Sequence, residues 1–134
     1  MTIIREILGT YEGSGKWHDS AGTSMGYTSR QINRLTSTGF EVEFKHHFDD
    51  GSLTDARLLM TWLTPAIFRV DMGNNPVGHG YCLDDCCNFH IKAGEAFVEV
   101  SYRPQDSGLA VYGSSTKNAD GNYIAWHESL QKKI

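Results

Sequence analysis

The feature that most constrains this chain is an alternation of apolar and polar residues with a period of two, repeated in short runs along most of its length. Phe40, Val42, Phe44, His46 and Phe48 alternate with Glu41, Glu43, Lys45 and His47. Ala96, Val98, Val100 and Tyr102 alternate with Phe97, Glu99, Ser101 and Arg103, and Phe68, Val70 and Met72 with Ile67, Arg69 and Asp71. Successive side chains of a strand point to opposite faces, so each run turns one face inward and the other to water. Nothing comparable recurs at helical spacing. Between the runs lie Asp49-Asp50-Gly51, Gly73-Asn74-Asn75-Pro76, Ala93-Gly94, Gln105-Asp106-Ser107-Gly108 and Asn118-Ala119-Asp120-Gly121, rich in residues that tolerate the positive φ of tight hairpins.

Ten strands are predicted, over about 6–18, 22–35, 39–48, 52–63, 66–72, 77–83, 86–92, 95–103, 108–115 and 122–132. They consume almost all of the 134 residues and leave no room for a layer of helices. An open meander of that length would expose two edges and an apolar face, and closure removes both problems. The expected fold is one all-β domain over residues 1–134, an antiparallel up-and-down β-barrel of about ten strands. A two-sheet sandwich is the alternative arrangement of the same strands.

Composition narrows the function. Hydrophobic residues are 40% and charged residues 21%, a globular balance. The formal charge is −4 with Lys and Arg scattered singly, so no nucleic acid partner is expected. The uncharged stretch Leu58 to Phe68 is far shorter than the roughly 20 apolar residues of a membrane-spanning helix. Met1 to Leu8 carries Arg5 and Glu6 and lacks the pattern of an export signal, which makes a cytoplasmic location the expectation.

A barrel of this size has an interior wide enough for one small ligand. Tyr11, Trp17, Tyr27, Trp62, Tyr81, Tyr102 and Tyr112 are the candidate inward aromatics, either filling the barrel or lining a site for an apolar or aromatic molecule. His46 is the inward member of the pair His46-His47. Arg57 and Arg69, on neighbouring strands, are candidates for neutralising a ligand carboxylate, although a solvated outer face is the commoner fate of such residues.

All three cysteines lie in one hairpin, Gly78 to His90. A four-residue loop, Leu83 to Cys86, would pair Cys82 with Cys87, Tyr81 with Asn88 and His79 with His90. A three-residue loop would pair Cys82 with Cys86 and His79 with Phe89, separating the imidazoles. The cysteine spacing is not that of a zinc site, so no metal is expected. A disulfide from Cys82 to Cys86 or Cys87 is geometrically open, but without an export signal free buried thiols are expected. His79 or His90 would be a general acid or base if it faced the interior.

The run Leu8-Gly9-Thr10-Tyr11-Glu12-Gly13-Ser14-Gly15-Lys16-Trp17 resembles the first strand of the calycin superfamily, and among its members the nitrobindin-like domains, with Gly9, Tyr11, Gly13 and Gly15 at the matching places. The resemblance implies a lipocalin-like barrel. It also implies heme held by a late histidine, here His127 within Trp126-His127-Glu128. Period two places Ile124, Trp126 and Leu130 inward and would turn His127 to solvent. The two lid helices of fatty-acid-binding proteins have no counterpart, since Asp19-Ser20-Ala21-Gly22 is only a tight connection.

The leading expectation is therefore a binding protein for a small hydrophobic or aromatic molecule, requiring no cofactor unless the resemblance brings heme. Its candidate site residues are Tyr27, His46, Arg57, Trp62, Arg69, His79, Tyr81, His90, Tyr102 and Tyr112. The alternative is a cofactor-free isomerase, cyclase or lyase, with His79, His90 or His46 moving a proton and Tyr81 or Tyr102 assisting. A histidine inside the cavity, hydrogen-bonded to a tyrosine or carboxylate, separates the two. A structural or protein-binding barrel is a third reading, and a homodimer is left open.

Overall fold

The structure, a computed structural model, describes residues 2–116 and 121–133. The connection expected at Asn118-Ala119-Asp120 lies outside the described residues. After a short helix α1 (Thr2–Ile7) come ten strands: β1 (Gly9–Asp19), β2 (Ser24–Leu35), β3 (Gly39–Phe48), β4 (Leu53–Trp62), β5 (Ile67–Met72), β6 (Asn75–Leu83), β7 (Cys86–Ala93), β8 (Ala96–Gln105), β9 (Gly108–Ser115) and β10 (Ile124–Lys133). Each strand pairs antiparallel with its neighbours in sequence, and β1 pairs with β10 from Thr10 opposite Lys133 to Asp19 opposite Ile124. The sheet is thus a closed up-and-down barrel without a free edge, and the sandwich alternative does not hold. No helix among the described residues is long and apolar enough to cross a membrane.

Turn chemistry sets the strand ends as the sequence leads one to expect. Asp19 Oδ1 accepts hydrogen bonds from the Ala21 and Thr23 amides at 3.0 and 2.9 Å, and Asp50 Oδ1 accepts from the Ser52 amide at 2.9 Å. Such side-chain turns compete with strand pairing and stop it locally. Gly51, at φ +89°, takes the left-handed conformation that closes the second of them.

The first element departs from expectation. Residues 6 and 7, read as the start of a strand, belong to α1, and the absence of helical spacing is corrected there by Ile4 and Ile7, three residues apart and both buried. They close one end of the barrel against β6, β7 and β8. The carbonyls left open at the end of α1 find buried partners. Tyr11 Oη donates to Glu6 O at 3.1 Å, and Asn33 Nδ2 donates to Ile7 O at 2.7 Å.

The interior has two halves. Next to α1 it is solid, packed with Tyr11, Phe40, Val42, Met60, Phe68, Val70, Leu109 and Leu130, all essentially inaccessible. Toward the other end, where β1, β3, β5 and β7 finish, the side chains no longer meet across the middle. There the barrel is hollow.

The cysteine hairpin takes the register expected for the longer loop, with Cys82 opposite Cys87, Tyr81 opposite Asn88 and His79 opposite His90, and pairing continues to Leu83 opposite Cys86, so that the loop itself is only Asp84-Asp85. The three-residue-loop pairing is thereby corrected. So is the expectation of free thiols throughout, because Cys82 and Cys87 face inward at directly opposed positions, with Cα atoms 4.1 Å apart, and form a disulfide. Cys86 is a free thiol.

Candidate functional site

The hollow half encloses a cavity of about 410 Å³. Its wall is apolar: Phe44, Ala56, Leu58, Phe89, Ile91, Val98, Val100 and Val111 surround it. Trp17, Phe48, Met72 and Ile124 lie toward the open end and are half-buried. Four polar groups break the wall at its inner side, Tyr27 and Gln31 from β2, His46 from β3 and Tyr102 from β8, and beside them stands a carboxyl group, Glu128 of β10.

Glu128 is 2% exposed. It sits on the inward face with Ile124, Trp126 and Leu130, where period two places it. Tyr27 Oη donates a hydrogen bond of 2.8 Å to Glu128 Oε2, across the strand that separates them. That strand is β1, and the residue between the two is Gly15, paired with Glu128 on one side and Tyr27 on the other. A Cβ on Gly15 would lie 2.6 Å from the Tyr27 ring and 2.7 Å from Glu128 Cγ, so the contact exists because this position has no side chain.

His46 completes the cluster. Its Nε2 is 3.5 Å from Glu128 Oε2, and its ring lies between those of Tyr27 and Phe44, at centroid distances of 4.6 and 4.7 Å. Burial pushes the imidazole down to about 4, so His46 is neutral at pH 7 and its approach to Glu128 is a polar contact, not an ion pair. Burial pushes the Glu128 carboxyl up to about 7, against the opposing pull of Tyr27 and the neighbouring Ser29 hydroxyl. Tyr27 and Tyr102 are held above the usual phenol range, by burial first and by the charge of Glu128 second, and remain donors. The second carboxyl oxygen, Glu128 Oε1, and the neighbouring Ser29 hydroxyl are both buried and make no close hydrogen bond in this arrangement.

Of the residues singled out in the sequence, Tyr27, His46 and Tyr102 line this cavity. Trp62 points inward but belongs to the solid half, where it packs on Phe40 and Phe68 at 5.7 and 5.6 Å. The others stand outside. Arg57 and Arg69 lie between the inward pairs Ala56/Leu58 and Phe68/Val70, and they bind Glu43 and Asp71 on the surface. Tyr81 lies between inward Gly80 and Cys82, and Tyr112 between inward Val111 and Gly113. His79 and His90 are stacked on the outer wall with centroids 6.0 Å apart, so neither serves the cavity as acid or base. His127 is also outside, against Tyr112 at 5.4 Å, and the residues do not fit a heme held by it within the barrel.

The sequence reading missed Glu128 and Gln31. Both lie at inward parity, but polar residues in the middle of an apolar face are easily passed over. Gln31 Nε2 donates to Asn33 Oδ1 at 3.0 Å, which links the cavity floor to the amide that caps α1.

No protein-family model and no curated protein matches this chain. Solved structures do. The S-type phycobiliprotein lyase CPES from Guillardia theta superposes with a TM-score of 0.78 at 8% identity, over 99% of this chain and 92% of the other. Rv2717c from M. tuberculosis gives 0.74 at 10% identity, over 99% and 96%. A redesigned β-barrel, mFAP1, bound to DFHBI, gives 0.53 at 10% identity, over 98% and 100%. At these identities the likeness is one of fold: this chain shares a closed antiparallel barrel with them.

Proposed function

We propose that this barrel binds a small apolar or aromatic molecule in its interior, oriented by the polar cluster at its inner side. The observation that carries the reading is the combination of a wide apolar hollow with the polar side chains Tyr27, His46, Tyr102 and Glu128 gathered at its inner side. Burial of the guest's apolar surface supplies affinity, at about 25 cal/mol per Å² before the costs of association. The polar cluster decides orientation. The neighbours' cargo supports the class of ligand and no particular member of it. A calycin-like ancestry is in keeping with the first-strand glycines, of which Gly15 has a defined task at the site.

Titration with Nile red, an uncharged aromatic dye whose emission shifts to the blue in apolar surroundings, tests this. One dye per chain is expected, with blue-shifted emission. Ala56→Trp, which fills the hollow from its wall, is expected to abolish the shift. A wild-type chain that leaves the spectrum unchanged, or an Ala56→Trp chain that binds as well, would overturn the reading.

A further inference from the structure

Resting on that reading, we propose that Glu128 is a base toward the bound guest: its carboxylate takes a proton from an acidic carbon of a molecule held in the cavity. The geometry has three parts. The carboxyl group is buried, so a guest in the hollow replaces water as its neighbour. The carboxyl lines the cavity wall and is fixed there by the hydrogen bond from Tyr27, with the Ser29 hydroxyl beside it. The Tyr102 hydroxyl, buried in the same wall, keeps its proton and is a donor for an oxygen on which negative charge develops. The sequence criterion for an enzyme, a cavity histidine hydrogen-bonded to a tyrosine or carboxylate, is approached by His46, whose Nε2 stands 3.5 Å from Glu128 Oε2; the carboxylate is the stronger base of the two.

The natural reaction class is an isomerisation. The Glu128 carboxylate takes the proton from a carbon next to a carbonyl, the C–H electron pair moves onto the conjugated system, and the carboxylic acid returns the proton to a second carbon. No oxidant, reductant or co-reactant is consumed. The groups facing Glu128 are Tyr27 and Ser29 from β2, His46 from β3 and Tyr102 from β8, while β1 contributes only Gly15. No lysine or arginine lines the cavity among the described residues. The carboxyl therefore loses its proton near neutrality, about where a base of useful strength operates.

The probe is 5-nitrobenzisoxazole, an aromatic carbon acid of suitable size. When a base removes its ring C–H proton, that electron pair completes a nitrile, the N–O bond breaks, and the oxygen leaves as a coloured phenolate. Wild type is expected to turn it over with a rate that rises with pH through about 7. Glu128→Gln is expected to lose about 100-fold or more while still binding Nile red, and Glu128→Asp to retain part of the rate. Turnover that Glu128→Gln leaves unchanged overturns the proposal. So does a wild-type chain that binds Nile red yet shows no turnover, or a rate independent of pH between 5 and 9; in these cases the binding reading stands. If neither dye binding nor turnover is seen, both fall together.

Discussion

Gly15 governs the cavity floor through the side chain it lacks. Tyr27 and Glu128 reach over it from opposite sides and meet at 2.8 Å. Gly15→Ala would force both the Tyr27 ring and the Glu128 side chain to move, and overpacking of this kind costs about 1–3 kcal/mol, measurable by urea denaturation. An unchanged midpoint would contradict the contact. The two buried titrating groups give a second test. Glu128, with its folded value raised from 4.5 to about 7, favours the fold at low pH and loses that contribution as pH rises through 7. His46, lowered from 6.5 to about 4, favours the fold at high pH and loses it as pH falls toward 4. Between pH 5 and 7 the slopes oppose, so wild-type stability is expected to vary little. Glu128→Gln should then gain about 2 kcal/mol over that range as pH rises, and His46→Phe should lose about as much. Parallel profiles in all three chains would contradict the assignment. Parity alone placed Glu128 inward and Arg57, Arg69, Tyr81 and Tyr112 outward; selecting residues by chemical type overrode it, which is why the site was only half legible.

Among the elements, the strands were legible to within about three residues in most cases because alternation and turn residues act locally. Helix α1 was not, since six residues carry too little periodicity, and its stability comes from sealing the barrel through Ile4 and Ile7. The register of the Gly78–His90 hairpin was left between two choices that differ by one loop residue. Asp84, at φ +51°, and Asp85 form the turn, and the shorter loop loses because it would not oppose the inward cysteines. That register has a direct consequence. Denatured, unreduced protein should present one reactive thiol per chain, Cys86, and three after reduction. Three thiols before reduction would contradict the pairing.

Across the whole molecule, closure decides function. Pairing of β1 with β10 leaves no edge, and ten strands enclose more space than the side chains near α1 can fill. The solid half stabilises the shell and the hollow half is free to hold a guest, with Glu128 facing the space between them. The general shape was readable from ten alternating segments; the division into solid and hollow halves was not, because it depends on which inward positions hold Phe40 and Met60 and which hold Ala56 and Val98. Isothermal titration of the wild-type chain with indole and with benzofuran at pH 8.5 tests the central claim most directly. The two guests have nearly the same shape, and only indole has an N–H to give to the ionised Glu128. A hydrogen bond to a charged group is worth about 1.5–3 kcal/mol, so indole should bind about tenfold or more tightly, although benzofuran is the more apolar. Equal affinities, or a preference for benzofuran, would contradict a cavity oriented by that carboxylate.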